Sequence, residues 1–201
     1  MSILTLSGSP SATSRSHRIL QHIAAELRAG GERVDSLAIR DLPPAALCAA
    51  DTKDPAIADA IGRVAGARAV IIGTPVYKAA YSGLLKTFLD LLPQDGLAGK
   101  TVLPLATGGS LAHTLALDYG LKPVLAALGA HHLLSSIYVI DAQARVEGEG
   151  LALDAAIEQR IGEGLLRLRE TLSARERASA TRTPAPASSG GREPLAAPLT
   201  A

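Results

Sequence analysis

Tryptophan is absent and phenylalanine occurs once, so the core must be built from aliphatic side chains, and the four tyrosines stand out as groups able to stack on a flat ligand. The single cysteine, Cys48, excludes an internal disulfide framework and suits a reducing compartment. No activating motif surrounds that thiol, so it reads as inert. An excess of charge of one sign is also lacking: the formal net charge is +1 over 201 residues, with lysines and arginines dispersed, which leaves no electrostatic footprint for nucleic acid. No apolar run approaches the length of a membrane span, and the amino terminus lacks the basic region and small-residue cleavage site of a signal peptide. The expectation is a soluble, cytoplasmic protein that engages neither nucleic acid nor membrane.

Nucleotide and metal signatures are missing as well. Gly8-Ser9-Pro10 lacks the glycine triplet that lets backbone approach a pyrophosphate, and no Gly-Lys-Ser/Thr closes that loop as a triphosphate site requires. His17 and His22 are not spaced to share a helix face, and the adjacent His131 and His132 point apart on a strand, so no metal site is expected. Ser110, His113 and Asp118 occur in order, but no strand-to-helix elbow frames the serine as a nucleophile.

What is present is an alternation of strands and helices. Ile3-Leu4-Thr5-Leu6 reads as a buried strand, and a helix follows from Ser14 through Leu27 to the stop at Gly30-Gly31. Arg33 to Leu37 reads as an edge strand and Asp41 to Asp51 as a connecting loop; Asp54-Pro55 caps a helix with Ile57, Ile61 and Val64 on its apolar face. A third strand, Ala69 to Gly73, is expected to end in a turn that carries Pro75, Tyr77, Lys78 and Tyr81 before a helix starts near Ser82 and stops at Pro93. Thr101 to Ala106 is the fourth strand, with an irregularity expected at Pro104, which has no N–H for an interior ladder. A helical segment from about Leu111 to Leu128, a fifth strand from Leu133 to Ile140 and an amphipathic helix from Asp154 to about Leu172 complete the pattern. Strands and helices alternating through short connections predict an α/β domain over residues 1–175 with a doubly wound parallel sheet and helices on both faces. Residues 176–201 turn to Arg, Ala, Ser, Thr, Pro and Gly, the composition of a disordered tail.

Three turns fall at the carboxyl ends of three strands: Ser7 to Ser16, Thr74 to Ser82, and Thr107 to Ser110. In a doubly wound sheet such turns converge where ligands bind. The first is rich in hydroxyls and opens a helix, whose free N–H groups and macrodipole favour an anion; it reads as a phosphate monoester site, with plain turn and helix capping by Ser9 and Ser14 as the alternative. Gly108-Gly109 would admit backbone close to a planar ring, or be an ordinary turn. A hydride reaction fits this inventory, because the cofactor carries the chemistry and no acid–base side chain is needed.

Gly8-Ser9-Pro10, Ser14-Arg15-Ser16, Thr74-Pro75-Val76-Tyr77 and Gly108-Gly109 together resemble the NADPH-dependent FMN reductases of flavodoxin-like fold, over residues 1–172. The runs Thr74 to Gly83, Leu103 to Gly109 and Leu117 to Leu125 are more narrowly similar to the FMN reductases of two-component alkanesulfonate monooxygenase systems. The resemblance implies a five-stranded sheet of order 2-1-3-4-5. It implies that Ser9, Ser14, Arg15 and Ser16 hold the FMN phosphate, while Pro75, Val76, Tyr77 and Lys78 with Thr107, Gly108 and Gly109 surround the isoalloxazine. It further implies hydride transfer from NADPH to FMN, delivery of reduced FMN to a separate flavin-dependent monooxygenase in sulfur assimilation, and a homo-oligomer, dimer or tetramer. Tyr119 matches an inserted tyrosine that makes a π-helical bulge at a tetramer interface in that subgroup, with a role in flavin release or simply in a helix–helix contact. Two alternatives stay open: a reductase that keeps its FMN and reduces quinones or azo dyes, and a flavodoxin-like FMN-binding module without NADPH chemistry.

Overall fold

A computed structural model describes residues 2–148 and 150–180. Five strands run parallel: β1 (Ser2–Ser7), β2 (Val34–Ala38), β3 (Ala67–Tyr77), and, after the two-residue β4 (Ala80–Tyr81), β5 (Thr101–Gly108) and β6 (His132–Leu133), which β7 (Ile137–Ile140) continues along the same edge. Their order, β2-β1-β3-β5-β6, is the 2-1-3-4-5 expected of the parallel strands. The sheet holds seven strands rather than five because the fifth is broken in two and β4 adds an antiparallel partner to β3. A separate hairpin, β8 (Ala144–Glu147) with β9 (Gly150–Leu153), was not foreseen.

Side chains along the central strands alternate between two cores, as the period of two demands. Leu4, Leu6, Val70, Ile72 and Val102 face one way, under the helices α2 (Pro44–Cys48), α3 (Pro55–Gly66), α4 (Gly83–Leu89) and α5 (Lys122–Ala127). Ile3, Ala69, Ile71, Leu103 and Leu105 face the other, under α1 (Arg15–Ala29) and α6 (Ala155–Ala180). Strands apolar on both faces therefore end up buried on both. At Gly73 the contact is close: a Cβ there would lie 2.7 Å from Leu20 Cγ, so α1 can lie this tightly on β3 only over glycine.

Four boundaries differ from the sequence expectation. The loop 41–51 contains α2, because Pro44 takes the first helical position, where its missing N–H costs nothing. The third strand does not stop at Gly73 but runs to Tyr77. The Gly73 carbonyl accepts the Gly8 N–H at 2.8 Å, so Pro75, two residues on, turns its nitrogen to the same side, past the end of β1. Pro104 works in the same way: the Val102 carbonyl accepts from Leu134 at 2.9 Å, and Pro104 faces the same neighbour where the fifth strand is interrupted between Leu133 and Ile137. The irregularity thus lies in the partner strand, while the register of β5 with β3 is unbroken. The last helix continues to Ala180, past the boundary expected at 176. The expected disorder of 181–201 lies outside the described residues.

Phe88 is fully buried among Leu4-side neighbours, where no second aromatic can compensate for it. Phe88→Ala is expected to destabilise the protein by about 3–5 kcal/mol, read as a fall in the urea midpoint at constant slope.

Candidate functional site

The three carboxyl-edge loops are tied to one another by side chains that the sequence places just outside them. Ser82 caps α4, its hydroxyl accepting the Leu85 N–H at 3.1 Å and donating to the Gly8 carbonyl in the first loop. Its own N–H donates to Thr74 Oγ1 at 3.0 Å, which closes the second loop on itself. The second and third loops run in register, with Pro75 beside Thr107. On β7, the buried Tyr138 donates its hydroxyl to the Ser110 carbonyl at 2.8 Å. Burial, followed by the charge of Asp141, raises the Tyr138 pKa, so the phenol stays a donor.

In the first loop the fifteen-residue helix α1 begins at Arg15 behind Ser14, whose Oγ accepts the His17 N–H at 3.3 Å. Its first turn carries no acidic residue, which leaves the positive end of the helix uncompensated. Ser9 and Ser16 are buried: Ser9 Oγ accepts the Ser11 N–H, and Ser16 Oγ meets Ser14 Oγ, so both shape the loop from inside and neither hydroxyl lines its surface. The exposed hydroxyls belong instead to Ser11 and Thr13, 3.1 Å apart, which sequence reasoning passed over although they stand within the same hydroxyl-rich run. Arg15 is turned aside, its Nε donating to the Ala144 carbonyl at 2.9 Å and its Nη1 lying 3.5 Å from Asp141. That link to the unforeseen hairpin had no local signal.

In the second loop Pro75 is buried, Val76 half-buried, and Tyr77 and Lys78 exposed. Lys78 and Ala79 form the two-residue turn between β3 and β4, with φ of 49° and 64°. Non-glycine residues held in the left-handed region cost about 1–3 kcal/mol each and concentrate at functional sites. In the third loop Thr107 and Gly108 are buried and Gly109 exposed. A Cβ on Gly108 would overlap the Tyr138 hydroxyl and lie 3.5 Å from Val76 Cβ, whereas one on Gly109 would meet nothing within 4 Å. The geometry brings Val76, Tyr77 and Lys78 to one side of an open glycine backbone, with Pro75 and Thr107 behind them.

The helical segment after the third loop is irregular: a 3₁₀ turn Leu111–His113, then a π-helix Ala116–Leu121 running into α5. Tyr119 lies in that π-helix and is 79% exposed, so within one chain it fills no helix–helix contact. Tyr81 supports the segment from below, with Gly120 close against its ring. Asp118 is bound to Lys122 at 2.6 Å and to Ser136 at 3.3 Å, an arrangement that commits it to holding the helix.

A doubly wound parallel sheet with a hydroxyl-rich loop at a helix start and an open glycine loop beside it defines the class: a flavodoxin-like α/β protein. Residues 1–145 match the family model of the NADPH-dependent FMN reductases, and the chain belongs to that family. It is an oxidoreductase, with FMN and NADPH as its flavin and nicotinamide. It is 44% identical over 179 residues to a protein of Pseudomonas putida strain KT2440 named FMN reductase (NADPH), covering 88% of this chain and 91% of that one. To a protein of the same name from Escherichia coli K12 it is 46% identical over 143 residues, covering 71% and 75%. Among solved structures it is similar to apo NADH:FMN oxidoreductase EMOB, with TM-score 0.77 and 37% identity over 85% of this chain and 89% of that one.

The contact between Gly108 and Tyr138 can be tested directly. Gly108→Ala is expected to destabilise the protein by about 1–3 kcal/mol through overpacking, and Gly108→Ala/Tyr138→Phe to recover much of that loss. Urea denaturation of the two variants and of Tyr138→Phe alone completes the cycle.

Proposed function

We propose that the three loops form one FMN site and that the protein reduces FMN with NADPH and then releases it. The observation that carries this reading is convergence: Ser82 and Tyr138 lock three otherwise separate turns around one open backbone surface, beside an uncompensated helix start. A flat ring with a phosphate arm fits such a surface. The N–H groups at the start of α1, with the hydroxyls of Ser11, Thr13 and Ser14, would hold the phosphate; Ser9 and Ser16 brace that loop, and Arg15 borders it. Val76, Tyr77 and Lys78 with Gly108 and Gly109 would flank the ring, and Pro75 and Thr107 would back it. When bound, FMN supplies the ring that takes a hydride from the nicotinamide. The backbone N–H groups of the glycine loop would face negative charge as it develops, stabilising it without reorganisation.

The finer assignment, delivery of reduced FMN to a separate flavin-dependent monooxygenase that desulfonates alkanesulfonates, is supported by the motif resemblance in the second loop, the third loop and the 117–125 segment. It implies a cytoplasmic enzyme, where NADPH is available. A homo-oligomer is supported by Leu111, Leu115 and Tyr119, large residues 69%, 60% and 79% exposed along one segment. We assign Tyr119 and its π-helix to that interface, from which it would control flavin release.

Anaerobic titration with NADPH, followed by gel filtration, tests the reading. NADPH oxidation should rise saturably with added FMN, and reduced FMN should elute apart from the protein; oxidation indifferent to FMN would sink the proposal. Flavin that elutes with the protein and turns over quinone without supplement points to the retaining reductase instead. Leu115→Asp is expected to lower the mass measured by light scattering.

A further inference from the structure

A second polar cavity, of about 260 Å³, opens beside the first loop on the β2 side, between the carboxyl ends of β1 and β2 and the first turns of α1. Its wall includes Thr5, Ser7, His17, Gln21, Ser36 and Arg40. No part of the flavin reading uses it. His17 Nδ1 lies 3.2 Å from Ser7 Oγ, and Arg40 Nη2 lies 3.2 Å from His17 Nε2. A guanidinium can only donate, so Nε2 is the acceptor and the imidazole proton sits on Nδ1, facing the serine. Burial, then the charges of Arg40 and Arg18, lower the His17 pKa, in agreement with a neutral ring. A fixed cation is therefore held by a neutral partner.

Its acidic neighbour does little to satisfy it. Arg40 Nε is 3.5 Å from Asp41, whose side chain is 70% exposed and well screened. Arg40 Nη1 is buried without a hydrogen-bond partner, as is Nε of the neighbouring Arg18. Buried donors on charged groups that lack acceptors are costly, and a phosphate oxygen is the acceptor that a planar guanidinium fits best. Two cations, Arg18 and Arg40, thus face one exposed carboxylate across a cavity lined by hydroxyls and large enough for a phosphate.

We infer that this cavity receives the 2′-phosphate of NADPH, with Arg40 as the group that favours NADPH over NADH. The inference rests on the flavin site proposed above. With the ring between the loops of β3 and β5, the cavity between β1 and β2 lies about two strand spacings away, ~10 Å, a distance a dinucleotide spans while its nicotinamide stays on the ring. The phosphate loop over β1 lies between the two. Arg40 makes no contact with that loop's hydroxyls; its one link toward α1 is His17, so it can respond to the 2′-phosphate independently of FMN.

Steady-state kinetics of Arg40→Gln against NADPH and NADH, each at saturating FMN, tests the inference. KM for NADPH is expected to rise by at least about tenfold, the loss of one charge-assisted hydrogen bond, with kcat and the KM for NADH and FMN unchanged. 2′,5′-ADP should compete with NADPH in the wild type and lose most of that competition in the variant, while 5′-ADP is affected by neither. Arg40→Lys, which keeps the charge, should recover part of the NADPH preference. Should Arg40→Gln fail to fold, Gln21→Glu places a carboxylate at the same cavity from the exposed side of α1 and is expected to produce the same selective loss. An unchanged KM for NADPH, or equal rises for NADPH, NADH and FMN, would overturn the assignment. So would inhibition by inorganic phosphate that Arg40→Gln abolishes without altering the effect of 2′,5′-ADP. Absence of NADPH-driven FMN reduction in the wild type would instead count against the flavin reading itself.

Discussion

Ser82 is the residue on which the architecture of the site depends. Three separate demands meet there: α4 needs an acceptor for its first free N–H groups, the Gly8 carbonyl has run past the end of its strand and needs a donor, and the second loop needs a tie to Thr74. Each is a backbone or hydroxyl group taken out of water, and leaving any one unpaired would cost more than an average hydrogen bond contributes. Serine answers all three because its one hydroxyl both donates and accepts, while its backbone N–H supplies the third bond. Tyr138 plays the matching part on the far side of the sheet, where its hydroxyl fixes Ser110 and fills the space that Gly108 leaves. The loops are consequently short and held from beneath, so their outer surfaces stay available to a ligand.

Much of this was legible in the sequence, and the parts that were not share a cause. Runs such as Val70-Ile71-Ile72 and the stripe Ile57, Ile61, Val64 report burial directly, so the parallel sheet and its covering helices could be inferred from period alone. Prolines were harder. Pro104 was correctly seen as a conflict with an interior strand, yet the conflict was resolved in the neighbour, which breaks between Leu133 and Ile137. Pro75 was taken to end β3, but its nitrogen faces a side on which β1 has already stopped. A proline reports that one hydrogen bond is absent; which strand lies on that side is tertiary information. The β8–β9 hairpin escaped for a related reason, since its tie to the site runs through Arg15 and the Ala144 carbonyl, 129 residues apart.

Within the candidate site, the residue types were easier to identify than their roles. The first loop was recognisable by its hydroxyls, but Ser9 and Ser16 proved to be internal braces, and the exposed positions fell to Ser11 and Thr13. Spacing along a turn does not reveal which hydroxyl points inward, because that depends on which backbone N–H groups the fold leaves without partners. The irregular helix was announced only by resemblance: Tyr119 in the π-helix Ala116–Leu121 has no counterpart in composition or periodicity.

The polarity of the sheet gives a physical reason for placing an anionic cofactor at this edge. Because the strands are parallel and the helices return antiparallel to them, helix starts gather at the carboxyl edge and helix ends at the other. The first turns of α1, α3 and α4 contain no acidic residue, whereas their last turns carry Arg28, Arg63 and Lys86. At the opposite edge the buried Lys100 donates to the carbonyls of Ala65 and Ala67 at the end of α3, a cation set against the negative end of a helix dipole. Its desolvation lowers its pKa, and those carbonyls are the acceptors that offset the cost of burying the charge. The chain thus compensates its helix dipoles at one edge with its own cations. At the other it supplies hydroxyls, backbone N–H groups and the Arg40 guanidinium, leaving the negative charge to be brought in by FMN and NADPH as proposed.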